Sequence, residues 1–128
     1  MQEKVIKRIL LVEDDTTLAE MYQKKFDVEG FDVLSASDGE KGLKIALEEH
    51  PDIILLDLLM PKMDGMTIMK KLREDDWGKD VPIIILTNLN ANDKIIQGVT
   101  EDRPAYYLMK INDTPNDVVL KIKEVLKL

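Results

Sequence analysis

The stretch IILLDLLMPKMDG, residues 53–65, decides the fold. Four strongly apolar residues, Ile53 to Leu56, run without interruption into a single carboxylate, Asp57. A strand with one wet face alternates apolar and polar side chains, whereas an unbroken run suits a strand covered on both faces. An unpaired charge inside such a strand would be costly, so Asp57 is expected at its end, where the chain leaves the core. Pro61 and the Asp64-Gly65 pair then read as a loop that turns into a helix. Leu58, Leu59 and Met60 are oddly apolar for that loop.

The same pattern recurs along the chain. RILLV (8–12), FDVLSA (31–36), VPIIILT (81–87) and AYYLMK (105–110) are apolar runs like DIILLD (52–57), making five in all. Between and after them, apolar residues recur at helical spacing: Leu18, Met21, Tyr22 and Phe26; Leu43, Ala46 and Leu47; Ile68, Met69 and Leu72; Ile95, Ile96 and Val99; Val118, Val119, Ile122, Val125 and Leu126. Ser37 with Glu40 and Thr17 with Glu20 have capping-box spacing, and Asn90 precedes Asp93 by three. Thr114-Pro115 reads as an N-cap followed by proline at the first helical position. Gly30 is placed to end the first helix. Strands alternating with helices predict an α/β fold, a doubly wound parallel sheet with helices on both faces.

Bulk properties narrow the function classes. The chain has 128 residues, 45% of them hydrophobic, which fits one domain (1–128) with one core. It lacks cysteine and carries a single histidine, His50, beside Pro51 at a predicted helix end. Disulfides, thiolate metal sites, histidine-rich metal sites and a Ser-His-Asp machine are thus poorly supplied. The formal charge is −7 and no basic cluster stands out, which argues against direct nucleic-acid binding and for metal cations as small partners. The N-terminal apolar run, Ile9 to Val12, is too short for a signal peptide or a membrane span. A soluble protein of the cytoplasm, with no membrane association, is expected.

In open parallel sheets, ligands bind outside the carboxyl ends of the strands. Here those ends carry Glu13, Asp14 and Asp15 after the first run, Asp57 after the third, Thr87 after the fourth and Lys110 after the fifth. Carboxylates gathered on one patch would raise one another's pKa unless a cation neutralised them. An all-oxygen donor set favours a hard divalent ion, magnesium or manganese. A lysine and a threonine nearby suit phosphoryl oxygens, so phosphoryl transfer to a carboxylate is the chemistry suggested. Taken alone, Asp15 reads better as a helix N-cap than as a ligand, Thr87 as an ordinary strand-end residue and Lys110 as a solvated charge. Asp57 is harder to explain away, because an acid closing a buried strand needs its own compensation.

With these residues in place, the sequence resembles the receiver domain of two-component response regulators, the CheY-like superfamily. The resemblance runs from ILLVEDD through DIILLDLLMPKMDG and VPIIILT to the lysine closing YYLMK. It implies a flavodoxin-like sheet of five strands in the order 2-1-3-4-5, with five helices. It also implies that Asp57 is the phosphoacceptor, taking its phosphoryl group from a sensor histidine kinase or a phosphotransfer protein. Glu13, Asp14, Asp57 and the backbone carbonyl of Leu59 match the magnesium site, with Asp14 as a direct ligand and Glu13 acting through water. Thr87 matches the switch hydroxyl, Lys110 the lysine that pairs with the phosphoryl group, and Tyr107 the aromatic that changes rotamer with Thr87. Tyr106 is expected on the opposite face of its strand.

Three places depart from the family pattern. Ile111 stands where proline in a cis bond is usual; a non-proline cis bond costs about 2.5–4 kcal/mol, so a trans bond is expected. Asn88 replaces a small residue after Thr87. The segment 90–104 lacks the usual alanine-rich helix and reaches the fifth strand through EDRPA. These changes fall on the face formed by the fourth predicted helix, the fifth strand and the fifth helix, which in the family carries the output. The effector and any phosphorylation-dependent dimer are therefore left open. Leu59 and Leu89, both apolar, match positions flanking the water path, which implies slow hydrolysis. Two other readings compete. An atypical receiver would bind its partner regardless of phosphate. A magnesium-dependent phosphohydrolase would need a second aspartate where Leu59 stands and a cap domain to hold its substrate.

Overall fold

The computed structural model describes residues 5–60, 62–88, 98 and 100–128. Strands β1 (Arg8–Val12), β2 (Asp32–Ala36), β3 (Ile53–Leu56), β4 (Ile83–Thr87) and β5 (Tyr106–Met109) form one parallel sheet in the order β2-β1-β3-β4-β5. Helices α1 (Thr16–Val28), α2 (Gly39–Glu49) and α3 (Gly65–Arg73) follow the first three strands, and a C-terminal helix (Pro115–Leu126) follows β5. The helix expected around Ile95, with its Asn90–Asp93 cap, lies outside the described residues, as do Pro61 and Leu89.

The unbroken apolar runs are explained by two cores, one on each face of the sheet. Successive strand residues point to opposite faces, so each strand feeds both. Ile9, Leu11, Ile53, Leu55, Ile84 and Leu86 pack with Tyr22 and Phe26 of α1 and Val118 and Ile122 of the C-terminal helix. Leu10, Val12, Ile54, Leu56, Ile83 and Ile85 pack with Ile68, Met69 and Leu72 of α3 and Ala46 of α2. Tyr106 belongs to the first side and Tyr107 to the second, as alternation requires. Phe26 is fully buried, with Phe31 edge-on to it at 6.4 Å.

At two helix starts the capping-box spacings give way to a neighbouring aspartate, at α1 the Asp15 already readable as a cap. The N-cap of α1 is Asp15, whose carboxylate accepts from the Leu18 N–H at 3.0 Å, and Thr17 lies inside the first turn. The N-cap of α2 is Asp38, which accepts from Lys41 N–H at 2.9 Å, in place of Ser37. In both, a carboxylate standing three residues before a free N–H takes it, with the added attraction of the helix dipole. Thr114 caps the C-terminal helix as expected, in a reciprocal box with Asp117. Gly30 ends α1 with φ +94°. Gly30 N–H bonds the Asp27 carbonyl and Phe31 N–H the Phe26 carbonyl, the paired bonds of a Schellman end.

Two loops are fixed by features that place the site. α2 begins so close to the loop after β3 that a Cβ on Gly39 would collide with the Met63 carbonyl. At the far end of α3, the Arg73 guanidinium donates to the carbonyls of Gly78, Val81, Asp102 and Arg103 at 2.7–3.1 Å. It thereby ties the EDRPA approach to β5 onto the loop before β4.

Gly39→Ala is expected to destabilise the fold by about 1–3 kcal/mol through overpacking, read as a lower denaturant midpoint at unchanged slope. Thr114→Ala should cost about 1 kcal/mol by loss of the cap. The Thr114 backbone N–H holds the Asp117 carboxyl below its ordinary 3.8. A depressed acid stabilises above its unfolded pKa and loses that contribution as pH falls through the folded value. Asp117→Asn should accordingly lack that part of the stability loss below about pH 3.8 seen in a wild-type acid titration.

Candidate functional site

The sheet order decides which residues meet. β1 and β3 are neighbours, β3 adjoins β4, and β4 adjoins β5, so the ends of all four converge. Glu13 follows β1 directly and Asp57 follows β3, their N–H groups bonded to the Ala36 and Val12 carbonyls of neighbouring strands. Both are buried, at 4% and 5% exposure, and Thr87 at the end of β4 is completely buried. Lys110 follows β5 and donates its own N–H to the Thr87 carbonyl at 2.9 Å.

Asp57 is the centre of the cluster. Its Oδ1 accepts from the Thr87 hydroxyl at 2.7 Å and from the Leu59 N–H at 3.0 Å. Its Oδ2 accepts from Lys110 Nζ at 2.8 Å, and the same ammonium reaches both Glu13 carboxylate oxygens at 2.8 Å. Asp14 is exposed, yet one of its oxygens lies within 4.8 Å of oxygens of Glu13 and Asp57. Among the described residues, three carboxylates thus gather at one patch, two of them on the Lys110 ammonium, and the donor set is all oxygen. A hard divalent cation fits that donor set.

The titration of the pair reflects this imbalance. Burial raises the Glu13 carboxyl above its ordinary 4.5; Lys110 pulls it down and the charge of Asp57 pushes it further up. Burial alone would lower Lys110, but its hydrogen bonds to Asp57 and Glu13 outweigh burial and raise it. An isolated ion pair would lower its acid. Here one charge is shared between two buried carboxylates, so the lysine stays protonated while Glu13 remains incompletely compensated.

Every side chain singled out at the strand ends is present in or beside this cluster except Asp15, which is the α1 cap. Tyr107 is half-buried on the same face as Ile85, the residue it pairs with, and burial followed by the charge of Asp57 raises its phenol. Leu58 accounts for part of the apolar loop, being buried against the α3 side, while Leu59 supplies its N–H to Asp57 with its side chain over half exposed. No cis peptide occurs among the described residues, so Ile111 follows Lys110 in a trans bond. His50 is far from this chemistry, as the left-handed C-cap of α2 stacked on Trp77 at 4.4 Å.

Two residues near the site escaped the sequence reading. Tyr22, taken only as a core position, is buried and lines the floor beneath Glu13 and Asp57. Asp113 accepts the Met109 N–H on Oδ2 at 3.1 Å and closes the turn after Lys110. Its only sequence signal is an acid shortly after a strand end, which is common in loops.

The family model described as the response regulator receiver domain matches residues 9–122. Among curated relatives, the DNA-binding dual master transcriptional regulator RpaA of Synechocystis is 40% identical over 91 residues, covering 71% of this chain and 38% of that protein. The alkaline phosphatase synthesis transcriptional regulatory protein PhoP of Bacillus subtilis is 33% identical over 121 residues, covering 94% of this chain and 49% of that one. The chain thus spans less than half the length of these two relatives. Among solved structures, a CheY-like receiver domain protein of Methanospirillum hungatei superposes with a TM-score of 0.88 at 28% identity, covering 96% of this chain and 95% of the other. The chemotaxis protein CheY4 of Vibrio cholerae gives 0.85 at 26%, covering 94% and 99%. With its sheet order and its acidic strand ends, the chain belongs to the response regulator receiver domain family, the receiver of two-component response regulators.

Proposed function

We propose that the chain, as one receiver domain, is a phosphorylation-driven switch whose phosphoacceptor is Asp57. The observation that carries this reading is the bridging of Asp57 and Glu13 by Lys110, with Thr87 on the other Asp57 oxygen. A carboxylate oxygen of Asp57 attacks the phosphorus of a phosphohistidine on a sensor kinase or phosphotransfer protein. An O–P bond forms as the P–N bond breaks, and the imidazole leaves and is protonated from solvent. Lys110, already on Asp57, pairs with a phosphoryl oxygen. The Thr87 hydroxyl leaves Asp57 for another, and Tyr107, on the same face, turns with it.

Glu13, Asp14, Asp57 and the Leu59 carbonyl would hold magnesium, and manganese fits the same donors. Bound there, the ion neutralises the carboxylates and the incoming phosphoryl charge. The module is a switch and not a turnover enzyme. Its output biases two conformations of the face that includes β5 and the C-terminal helix, towards an effector protein or a second copy. A cytoplasmic location fits this partner set, and no described helix is long and apolar enough to cross a membrane.

Incubation with magnesium and a small phosphodonor should give a covalent phosphoryl adduct, read by intact mass. The adduct should be absent in Asp57→Asn and accompanied by altered hydrogen exchange across residues 87–112. Absence of any adduct in the wild type would favour a phosphate-independent interaction module instead. Asp14→Asn should raise the thermal midpoint in chelator, because it removes one of three crowded charges. It should also weaken magnesium by more than the roughly 10- to 100-fold that loss of an outer-sphere partner costs, read as loss of the magnesium-induced midpoint shift.

A further inference from the structure

The ammonium of Lys110 is held by three carboxylate oxygens, but the backbone that aims it belongs to an edge strand that, among the described residues, has only β4 beside it. An edge strand leaves main-chain groups unpaired on its outer side. At Met109, the last residue of β5, the loop that follows supplies those partners itself. The Met109 carbonyl accepts from the N–H groups of Asn112 and Asp113, each at 3.0 Å, and the Met109 N–H donates to Asp113 Oδ2 at 3.1 Å. The loop therefore folds back on the residue just before Lys110 and is closed by one side chain. Lys110 stands between this closed turn and its own bond to the Thr87 carbonyl. Ile111, next in the turn, is 74% exposed and contributes no packing that could replace the Asp113 contact.

We propose that Asp113 is a positioning residue for Lys110, closing the turn that directs the ammonium at Asp57 and Glu13. The proposal rests on the reading of Lys110 as the group that meets the phosphoryl charge. Asp113 touches neither substrate nor the reacting atoms; it acts through the geometry of the Met109–Lys110 backbone. Its carboxylate also lies close enough to act on the phenol of Tyr22, which feels Lys110 and Glu13 as well, so Asp113 sits on the same charge cluster from its loop side. Without it, the Met109 N–H loses its partner and the turn can open, and a lysine with four rotatable bonds no longer has one favoured direction.

The test uses the reactivity of Lys110, which is 14% exposed, towards an amine-selective reductive methylation reagent, followed residue by residue by mass spectrometry. In Asp113→Ala, Lys110 should react about fivefold faster or more, as a locally opened site does. Asp113→Asn, whose amide oxygen can accept the same bond, should restore most of the protection. Thr114→Ala, which removes the neighbouring helix cap and costs stability without touching Met109, should leave Lys110 protected. In parallel, the rate constant for the phosphodonor adduct should fall by roughly ten- to a hundredfold in Asp113→Ala, the cost of misplacing a group that meets the transition state, with the magnesium affinity unchanged. Unchanged Lys110 reactivity in Asp113→Ala would overturn the proposal. So would equal deprotection in Thr114→Ala, which would mark general loosening, or a failure of Asp113→Asn to restore protection. If Asp113→Ala does not fold, the near-isosteric Asp113→Leu, which also lacks an acceptor for the Met109 N–H, is read in its place with the same expected and overturning results. Failure of the wild type to form an adduct would count against the phosphoacceptor reading alone, since the reactivity measurement needs no phosphate.

Discussion

One lysine ammonium lies between two buried carboxylates, and much of the site is arranged around that contact. Like unit charges about 4 Å apart repel by about 4 kcal/mol at the effective dielectric near a protein surface, so Glu13, Asp14 and Asp57 could not be gathered without a cation. Lys110 supplies one of the charges needed and leaves the patch acidic. The resulting cluster is tied together by Lys110 but remains short of positive charge, as the raised Glu13 carboxyl shows. That shortage suits the patch to a divalent ion, and the Thr87, Leu59 and Lys110 donors are already turned toward the Asp57 carboxylate.

Holding that contact places demands on the frame. Glu13 and Asp57 are rigid because each continues a central strand and keeps its N–H in the sheet. Lys110 comes from the edge strand, and its loop compensates with a self-closing turn at Met109. The helices on the two faces cover the sheet with separate cores, so strands so apolar leave little surface wet. Arg73 performs a similar service on the opposite end of the molecule, collecting the carbonyls of Gly78, Val81, Asp102 and Arg103. Unmet backbone acceptors in such loops would cost as much as lost hydrogen bonds.

A switch needs groups that can exchange partners without unfolding their surroundings. Thr87 is buried on Asp57, and Tyr107 is half-buried beside it on the face it shares with Ile85. Movement of the hydroxyl would change what Asp57 sees and what the aromatic ring packs against, without altering the sheet. This coupling between charge at the strand ends and packing beside β5 is the physical content of the proposed signal.

The apolar runs and their spacing were enough to give a parallel sheet covered on both faces, because the period of a strand is a local property. The residues closing those runs were legible for the same reason: Glu13, Asp14, Asp57, Thr87 and Lys110 each interrupt an apolar stretch. Thr114 and Gly30 were readable as helix ends, since proline and a left-handed glycine leave strong local marks. Asp15 was legible as the cap of α1 beside the competing Thr17–Glu20 spacing, whereas the cap of α2 was misplaced by one residue, because Ser37 and Asp38 stand side by side and only geometry chose Asp38. What the tertiary structure alone decided was convergence. The Lys110 contact with Glu13 spans 97 residues and the Thr87 contact with Asp57 spans 30, distances over which strand order and register, not local preference, fix who meets whom. Asp113 and Arg73 belong to that second class. Their partners are main-chain groups, which carry no sequence signature, so their roles emerge only once the chain has folded around them.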